Sequence, residues 1–211
     1  MRRAPWIALL LAVGACGVGG GEGEVTSERL VLRDCAVGQF DLQPNFFFAN
    51  PHDDTVQILV QRGDLLTEAS DGLGIVVRDL SLIRGDDGSA GMLDRDLRVG
   101  LPVGVWPPGT PVVYDPDPPK VNMSLYLNDS CDEQNVSIYS VSGTIRFSAL
   151  FSGIRTETRP ADLLTEAEFD VTFTDPRDLV PGEAPDPATS SRVQGSFRFY
   201  FQRGQPAQPF P

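Results

Sequence analysis

A short stretch of oxygen-bearing side chains is the clearest candidate for binding chemistry in this chain. Asn128, Asp129, Asp132 and Glu133 lie around Cys131. Carboxylate and amide oxygens are the ligands that calcium prefers, but their spacing does not follow an EF-hand loop. The stretch therefore indicates either a calcium site or an acidic turn that is simply solvated.

The sequence contains few residues that could carry out nucleophilic catalysis. His52 is the only histidine, and no serine lies within a G-x-S-x-G elbow. The histidine follows Pro51 and precedes two aspartates, a turn-like stretch where a solvated polar residue is expected. One histidine and no C-x-x-C pair also leave too few ligands for zinc. We expect neither a Ser-His-Asp triad nor a zinc centre.

Paired carboxylates and exposed aromatic rings are the remaining candidates for a site. Glycoside hydrolysis needs two carboxyl groups about 5–10 Å apart in a cleft, and the 29 acidic residues do not single out a pair. Trp106 and Tyr114 could form an aromatic platform for a sugar or a peptide. The alternative is that Trp106 closes one end of the fold. We assign no catalytic residue and keep Trp106 and Tyr114 as the candidate ligand site.

The first sixteen residues have the layout of an export signal. Arg2 and Arg3 precede an apolar stretch over residues 6–13, and small residues lead to Cys16. The apolar stretch is far shorter than the roughly 18 residues that span a bilayer. The segment therefore predicts export rather than a permanent transmembrane helix.

With a cysteine directly after the small residues, residues 1–16 resemble the lipobox of bacterial lipoproteins. Val13 and Gly14 depart conservatively from its commonest residues. The resemblance implies that residues 1–15 are removed and that Cys16 becomes the acylated first residue, for instance with palmitate. Gly17, in place of an aspartate that retains such proteins at the inner membrane, implies the outer membrane. The alternative is an ordinary signal-peptide cysteine that is discarded on cleavage.

The odd number of cysteines agrees with this resemblance. The chain has three cysteines, Cys16, Cys35 and Cys131. If Cys16 carries lipid, the other two can pair in an oxidising compartment. The bond would close a loop of about 97 residues and stabilise the fold by roughly 4–5 kcal/mol on the chain-entropy model. The alternative is two buried free thiols.

Charge restricts the classes of partner. The chain of 211 residues has a formal net charge of −12. Such an acidic balance argues against binding of nucleic acid, whose phosphates require a basic patch. It also disfavours adhesion to anionic lipid through charge, which leaves the acyl chains as the membrane anchor.

Period-two alternation of apolar residues dominates the rest of the chain, and residues 121–127, 167–173 and 193–201 show it most clearly. Residues 46–48, all phenylalanine, indicate a central strand with both faces covered. Helical patterning is weak and is limited to a turn or two at residues 64–70 and 160–168. Many short strands with Gly/Pro turns predict an all-β fold, most simply an antiparallel β-sandwich of jelly-roll or immunoglobulin-like type. Weaker strand candidates lie at residues 29–33, 39–42, 55–61, 74–83, 97–101, 111–114, 136–141 and 144–151.

Two of these strands share a short sequence repeat, which we call the echo. Residues 141–147 and 193–199 both read V-x-G-[TS]-[IF]-R-F. A glycine inside a strand marks a bulge or a close approach by a neighbour. The echo predicts two strands of one sheet, each with a glycine hollow that a bulky ring can cover.

The sequence divides into four parts: a signal peptide (1–15), a lipidated cysteine with a Gly-rich tether (16–24), one β-domain (25–204) with a mobile loop at 175–191, and an extended tail (205–211). We expect a membrane-anchored envelope lipoprotein with a non-catalytic binding or structural role. The competing class is a carbohydrate-active or other hydrolase on a jelly-roll scaffold. The sequence names neither a ligand nor a protein partner.

Overall fold

A computed structural model describes residues 20–63, 70–85, 91–102, 104–105, 117–131, 137–150, 163–200 and 208–209. The all-β prediction is confirmed, because these residues form eleven strands and one short α-helix. The strands are β1 (Gly20–Leu32), β2 (Ala36–Leu42), β3 (Phe46–His52), β4 (Thr55–Arg62), β5 (Asp71–Arg78), β6 (Leu97–Gly100), β7 (Val121–Leu127), β8 (Ser137–Ala149), β9 (Leu164–Thr174), β10 (Ser190–Tyr200) and β11 (Gln208–Pro209), and the helix is α1 (Leu80–Arg84).

Hydrogen bonds join the eleven strands into one continuous sheet. Its order is β11-β1-β10-β9-β8-β6-β7-β5-β4-β3, with β2 also paired to β1. Most pairs are antiparallel, but β6–β7 and β1–β11 are parallel. The sheet curls into a half-barrel, so that Phe47 of β3 stacks on Phe199 of β10 with ring centroids 5.8 Å apart. The predicted sandwich of two separate antiparallel sheets is therefore not confirmed.

The three clearest strand predictions correspond to β7, β9 and β10. In β9 the inward series is Ala167, Phe169, Val171 and Phe173, and each is at most 5 % exposed. The intervening polar residues point to the outer face, as period-two geometry requires. Burial of these rings and branched chains on one face drives this half of the sheet together.

The two echo strands, β8 and β10, flank β9 on either side. A Cβ added to Gly195 would lie 2.7 Å from the Phe169 ring and 2.3 Å from the carbonyl oxygen of Glu24. Gly143 has φ +118° and follows a register shift in the β8–β9 pair. The predicted ring over a glycine hollow is confirmed at Gly195, whereas Gly143 serves a bulge.

Three local expectations are corrected. Strand β1 begins at Gly20, so residues 20–24 belong to the sheet and not to the tether. Residues 164–168 are strand, because pairing with β8 and β10 outweighs their weak helical pattern. Strand β3 is terminal in the sheet and not central. The prediction that both of its faces are covered is confirmed, since Phe46 and Phe47 are 4 % and 0 % exposed.

Strand β5 also ends earlier than residues 74–83 predicted. Asp79 has φ +55°, a left-handed conformation that aspartate tolerates and that stops a strand. Helix α1 follows, and its first turn is capped from another hairpin: the Ser81 N–H donates to Asp54 Oδ1 at 3.0 Å. The α1 segment is thereby fixed to the β3–β4 turn.

The loop between β9 and β10 starts with a 3-10 turn, Pro176–Asp178. Arg29 of β1 donates to the carbonyl oxygens of Pro187 and Ala188 at 3.1 and 2.6 Å, and Arg33 pairs with Asp178. The predicted mobility of residues 175–191 stays a prediction. These contacts, which connect the loop to β1, argue against it. In the predicted tail, Gln208–Pro209 is extended along the start of β1.

Candidate functional site

A charged groove lies on the outer face of the sheet. It has a volume of about 660 Å³ and crosses strands β1, β10, β9 and β8. Strand alternation supplies its walls, since every second residue of these strands faces outward. We call this surface the outer groove; its polar walls are Glu22, Glu24, Gln43, Asp94, Arg146, Ser148, Glu166, Glu168, Ser196 and Arg198.

Arginines pair with the carboxylates of β9 along this face. Arg146 donates to Asp96 Oδ1 from Nε at 2.9 Å and from a terminal nitrogen at 2.6 Å, and it lies 3.4 Å from Glu168. Arg198 lies 3.8 Å from Glu166. These pairs are exposed and therefore contribute little to stability. Of these contacts, the one between Arg146 and Asp96 is hydrogen-bonded, whereas Glu166 and Glu168 lie only within ion-pair distance of Arg198 and Arg146.

Asp170 is the next outward-facing carboxylate of β9 after Glu166 and Glu168, and it lies just beyond the groove. It accepts hydrogen bonds from Arg192 Nε at 2.8 Å and from Gln194 Nε2 at 2.9 Å. The hydrogen bond from Arg192 is the main reason that the pKa of Asp170 lies below its usual value. Asp170 is therefore a stable anion, the opposite of the protonated carboxyl that a general acid must supply near neutral pH.

Strand β1 contributes two carboxylates of the groove that have no arginine partner in the described part of the chain. Among the described residues, no basic side chain lies within ion-pair distance of Glu22 or Glu24. In the register, Glu24 and Glu168 both lie opposite Ser196, one on each side of β10. Among the described residues, the groove thus combines three carboxylates without an ion pair, Glu22, Glu24 and Asp94, with the arginine pairs of its other walls. This arrangement suits electrostatic contact with a polar ligand.

A second groove, of about 620 Å³, lies further along the same outer face between β2, β1 and β10. Its walls include Glu28, Arg29 and Arg192, and half-buried Phe40 also lines it. Both grooves are open and polar, without an exposed aromatic ring of the kind that stacks on sugars.

The stretch that suggested calcium is a turn built around a buried carboxylate. Asp71, 0 % exposed, accepts the backbone N–H groups of Asp129 and Ser130 at 3.1 and 3.0 Å. It also accepts the Ser130 hydroxyl and Arg62, each at 2.5 Å. These donors occupy the oxygens of Asp71, whereas Asn128 Oδ1 in the same turn is buried and has no hydrogen-bond partner among the described residues.

The four calcium candidates are only partly described. Asn128 and Asp129 lie in this turn, whereas Asp132 and Glu133 fall outside the described residues. In the part of the chain that the structure does describe, no cluster of three or more metal-ligating side chains occurs. Calcium binding through all four residues stays a hypothesis of the sequence.

A buried polar chain continues from the Asp71 turn into the sheet. Tyr126 donates its hydroxyl to Gln61 Oε1 at 2.7 Å, and Gln61 Nε2 donates to the carbonyl oxygen of Gly63 at 2.9 Å. Burial, assisted by the charge of Asp71, raises the pKa of Tyr126 well above its usual value. Tyr126 is therefore a fixed hydrogen-bond donor rather than a base.

Cys35 and Cys131 form a disulfide, with their Cα atoms 5.6 Å apart. The bond connects the β1–β2 turn to the turn that follows β7. Cys131 is 6 % exposed and lies directly after the residues that Asp71 orders. The disulfide and the buried carboxylate thus stabilise the same corner of the fold.

The other residues singled out by the sequence do not meet at a site. His52 is 83 % exposed in the β3–β4 hairpin, 3.4 Å from the Asp53 carboxylate. Trp106, Tyr114 and Cys16 lie outside the described residues. No sequence pattern selects Asp71 or Glu24, because each is one of 29 acidic residues and has no motif around it.

Comparison of the chain with protein-family models, with curated proteins and with solved structures found no significant match in any of the three. Within the described ranges, no helix has the length and apolar character needed to span a membrane. Function must therefore be inferred from the residues themselves.

Proposed function

We propose that this protein is an exported lipoprotein, anchored through acyl chains on Cys16, with a non-catalytic binding or structural role in the bacterial envelope. The outer membrane is the proposed location, because Gly17 replaces the aspartate that implies retention at the inner membrane. The membrane is the one partner proposed. No role for nucleic acid is proposed, given the net charge of −12.

The Cys35–Cys131 disulfide is the observation that carries this proposal. It joins the two cysteines of the folded body, and a disulfide of this kind is typical of proteins outside the cytosol. It also leaves Cys16, at the end of the signal-like segment, as the third cysteine. Export would allow Cys35 and Cys131 to form their disulfide, and acylation would modify Cys16, so that all three cysteines are accounted for.

Metabolic labelling tests the anchor. The full chain is expressed in a bacterial host with labelled palmitate, and we expect label in the protein and the protein in the outer-membrane fraction. Cys16→Ser removes the label, whereas Cys35→Ser, a matched change in the folded body, retains it. Label that persists in Cys16→Ser would contradict acylation at this position.

The outer face supports a binding or structural role over catalysis. Glu166 and Glu168 lie close to arginines, and the lowered pKa of Asp170 suits a permanent anion. A wide groove with fixed charges can hold an extended polar ligand across several strands. We also propose that the two halves of the curled sheet act as facing layers, as in a sandwich, around the Phe47–Phe199 contact.

The alternative is a hydrolase that uses paired carboxylates, and the register offers one pair for it. Glu24 and Glu168 flank Ser196 on neighbouring strands, which places their backbones about 10 Å apart. Carboxyl groups carried at that spacing are compatible with inverting glycosidases.

Cleavage of envelope polysaccharides by the purified protein would support the hydrolase. In that case Glu24→Gln and Glu168→Gln each abolish cleavage, while Glu28→Gln, an equally exposed change further along β1, leaves it intact. Equal activity of all three variants would remove this pair from consideration.

A further inference from the structure

The start of β1 limits how far the folded body can lie from Cys16. Gly20 is already in the strand, and Gly21 pairs with Phe199 of β10. A Cβ added to Gly21 would come within 2.5 Å of the Phe47 ring, so its backbone is packed directly against the core. The folded body thus includes Gly20, which lies within the Gly-rich stretch.

The remaining connection is short. Only residues 17–19 separate Cys16 from Gly20, and such a segment spans at most roughly 14 Å when fully extended. A tether that continued to Glu24 would span about twice that distance. The polar headgroup region of one leaflet is itself about 5–8 Å thick. Acyl chains on Cys16 would therefore hold Gly20 at the headgroup surface.

The strand register identifies the end of the sheet that lies beside Gly20. Tyr200 pairs with Leu164, next to the Gly21–Phe199 pair, and β8 ends nearby at Ala149. Leu164, Ala149 and Tyr200 are all half-buried. We call this set, with Gly20, the anchor end. Tyrosine with partly exposed aliphatic groups suits a membrane interface, where one side is apolar and the other wet.

The opposite end of the same strands has a different character. Strand β10 starts there at Ser190, about 35 Å from Tyr200 at the usual rise per residue. Ion pairs of Arg33 with Asp178 and of Arg177 with Asp175 lie at this distal end, and Glu183 is exposed. The distal end also exposes Val37 and Val180, so it combines ion pairs with apolar side chains.

We infer that the anchor end rests against the headgroups of the bilayer and that the distal end, with the β9–β10 loop, faces away from it. This inference rests on the proposed acylation of Cys16, which supplies the anchor. The occupant of the anchor end is the lipid surface itself. Charge does not drive the contact, because Glu22 and Glu166 lie on either side of Arg198 in the register.

Fluorescence quenching tests this orientation. Ser148→Cys, beside the anchor end, and Glu183→Cys, in the distal loop, are each labelled with a fluorophore in the lipidated protein. The protein is placed on phosphatidylcholine vesicles that contain lipid with a nitroxide on its headgroup. Since the two labels lie about 30 Å apart along the strands, we expect several-fold stronger quenching at position 148 than at position 183.

A longer tether is the matched control. About 20 Gly/Ser residues inserted between Gly19 and Gly20 add roughly 25 Å of mean reach, and we expect quenching at position 148 to fall towards that at 183. Equal quenching at both positions, or no effect of the insertion, would overturn the orientation.

The mass of the N-terminal peptide separates this result from a failure of the proposed function. An acylated Cys16 with equal quenching contradicts the orientation alone. A free Cys16 thiol contradicts the proposed acylation; the fluorophores at positions 148 and 183 are then attached through an azide-bearing residue, so that a lipid maleimide couples only to Cys16 before the same quenching comparison. Stronger quenching at 148 in that material supports the geometric argument, and equal quenching rejects it.

Discussion

Asp71 shows how one buried charge organises a turn that the sequence suggested as a cation site. Its oxygens accept two backbone N–H groups, the Ser130 hydroxyl and Arg62. A buried carboxylate is tolerated only when its hydrogen bonds are made. Because the protein supplies those donors, the turn needs no metal to hold Asp129 and Ser130 in place.

Asp71→Asn is therefore expected to lower the free energy of unfolding by about 2–3 kcal/mol, since it weakens several charged hydrogen bonds in the interior. Arg62 is 45 % exposed, so water can solvate its unpaired charge and limit the loss. Urea unfolding measures the effect. Asp129→Asn, an exposed change in the same turn, is expected to stay within about 0.5 kcal/mol. Equal losses in both variants would contradict the role of Asp71.

Asp175 gives a pH-dependent prediction. Burial opposes its ionisation, but hydrogen bonds from the Arg177 side chain and backbone, with the charges of Arg177 and Arg33, outweigh burial and lower its pKa. A lowered pKa in the folded state means that this carboxyl stabilises the fold at neutral pH, and that the contribution disappears as pH falls through that pKa.

We expect Asp175→Asn to be less stable than the wild type at neutral pH, with the difference shrinking below about pH 4. Urea unfolding across the acidic range measures it. Glu183→Gln, an exposed change in the same loop, should differ little from the wild type throughout. A constant difference for Asp175→Asn at every pH would show that its effect is not one of ionisation.

At the scale of the element, β10 depends on a position where no side chain fits. A Cβ on Gly195 would lie 2.3 Å from the carbonyl oxygen of Glu24 and would displace the Phe169 ring. We expect Gly195→Ala to separate β10 from β1 and to cost about 2–3 kcal/mol, in the range of overpacked cores. Thermal unfolding measures the loss. Ser196→Ala, the next residue on the exposed face, should be nearly neutral, and a neutral Gly195→Ala would contradict the close approach.

Alternation of apolar residues predicts the strands that bury one side-chain face. It does not predict segments whose backbone, rather than side chains, packs against the core. The alternating Phe and Val residues of β9 and β10 could be recognised from the sequence, because burial of each second residue leaves that pattern. The start of β1 could not be recognised: Gly21 enters the core by close backbone packing, which glycine composition does not distinguish from a loose linker. Likewise, β3 is terminal in the strand order, and its Phe47 is covered through the curl of the whole sheet, which places Phe47 on Phe199.

At the scale of the whole molecule, the Cys35–Cys131 bond links distant parts of the chain. On the chain-entropy model, a loop of about 97 residues corresponds to a stabilisation of roughly 4–5 kcal/mol, less any strain. The double variant Cys35→Ser/Cys131→Ser should therefore unfold at a much lower concentration of guanidinium chloride. Reductant should destabilise the wild type and leave the double variant unchanged. A wild type insensitive to reductant would contradict this contribution.

The central claim, that an acylated Cys16 anchors an oxidised β-body, is tested most directly by mass spectrometry of the protein recovered from membranes. We predict an N-terminal peptide that begins with acyl-bearing Cys16, and a cross-linked peptide pair that contains Cys35 and Cys131. An unmodified N-terminal residue after position 16, or free thiols at Cys35 and Cys131, would contradict the claim.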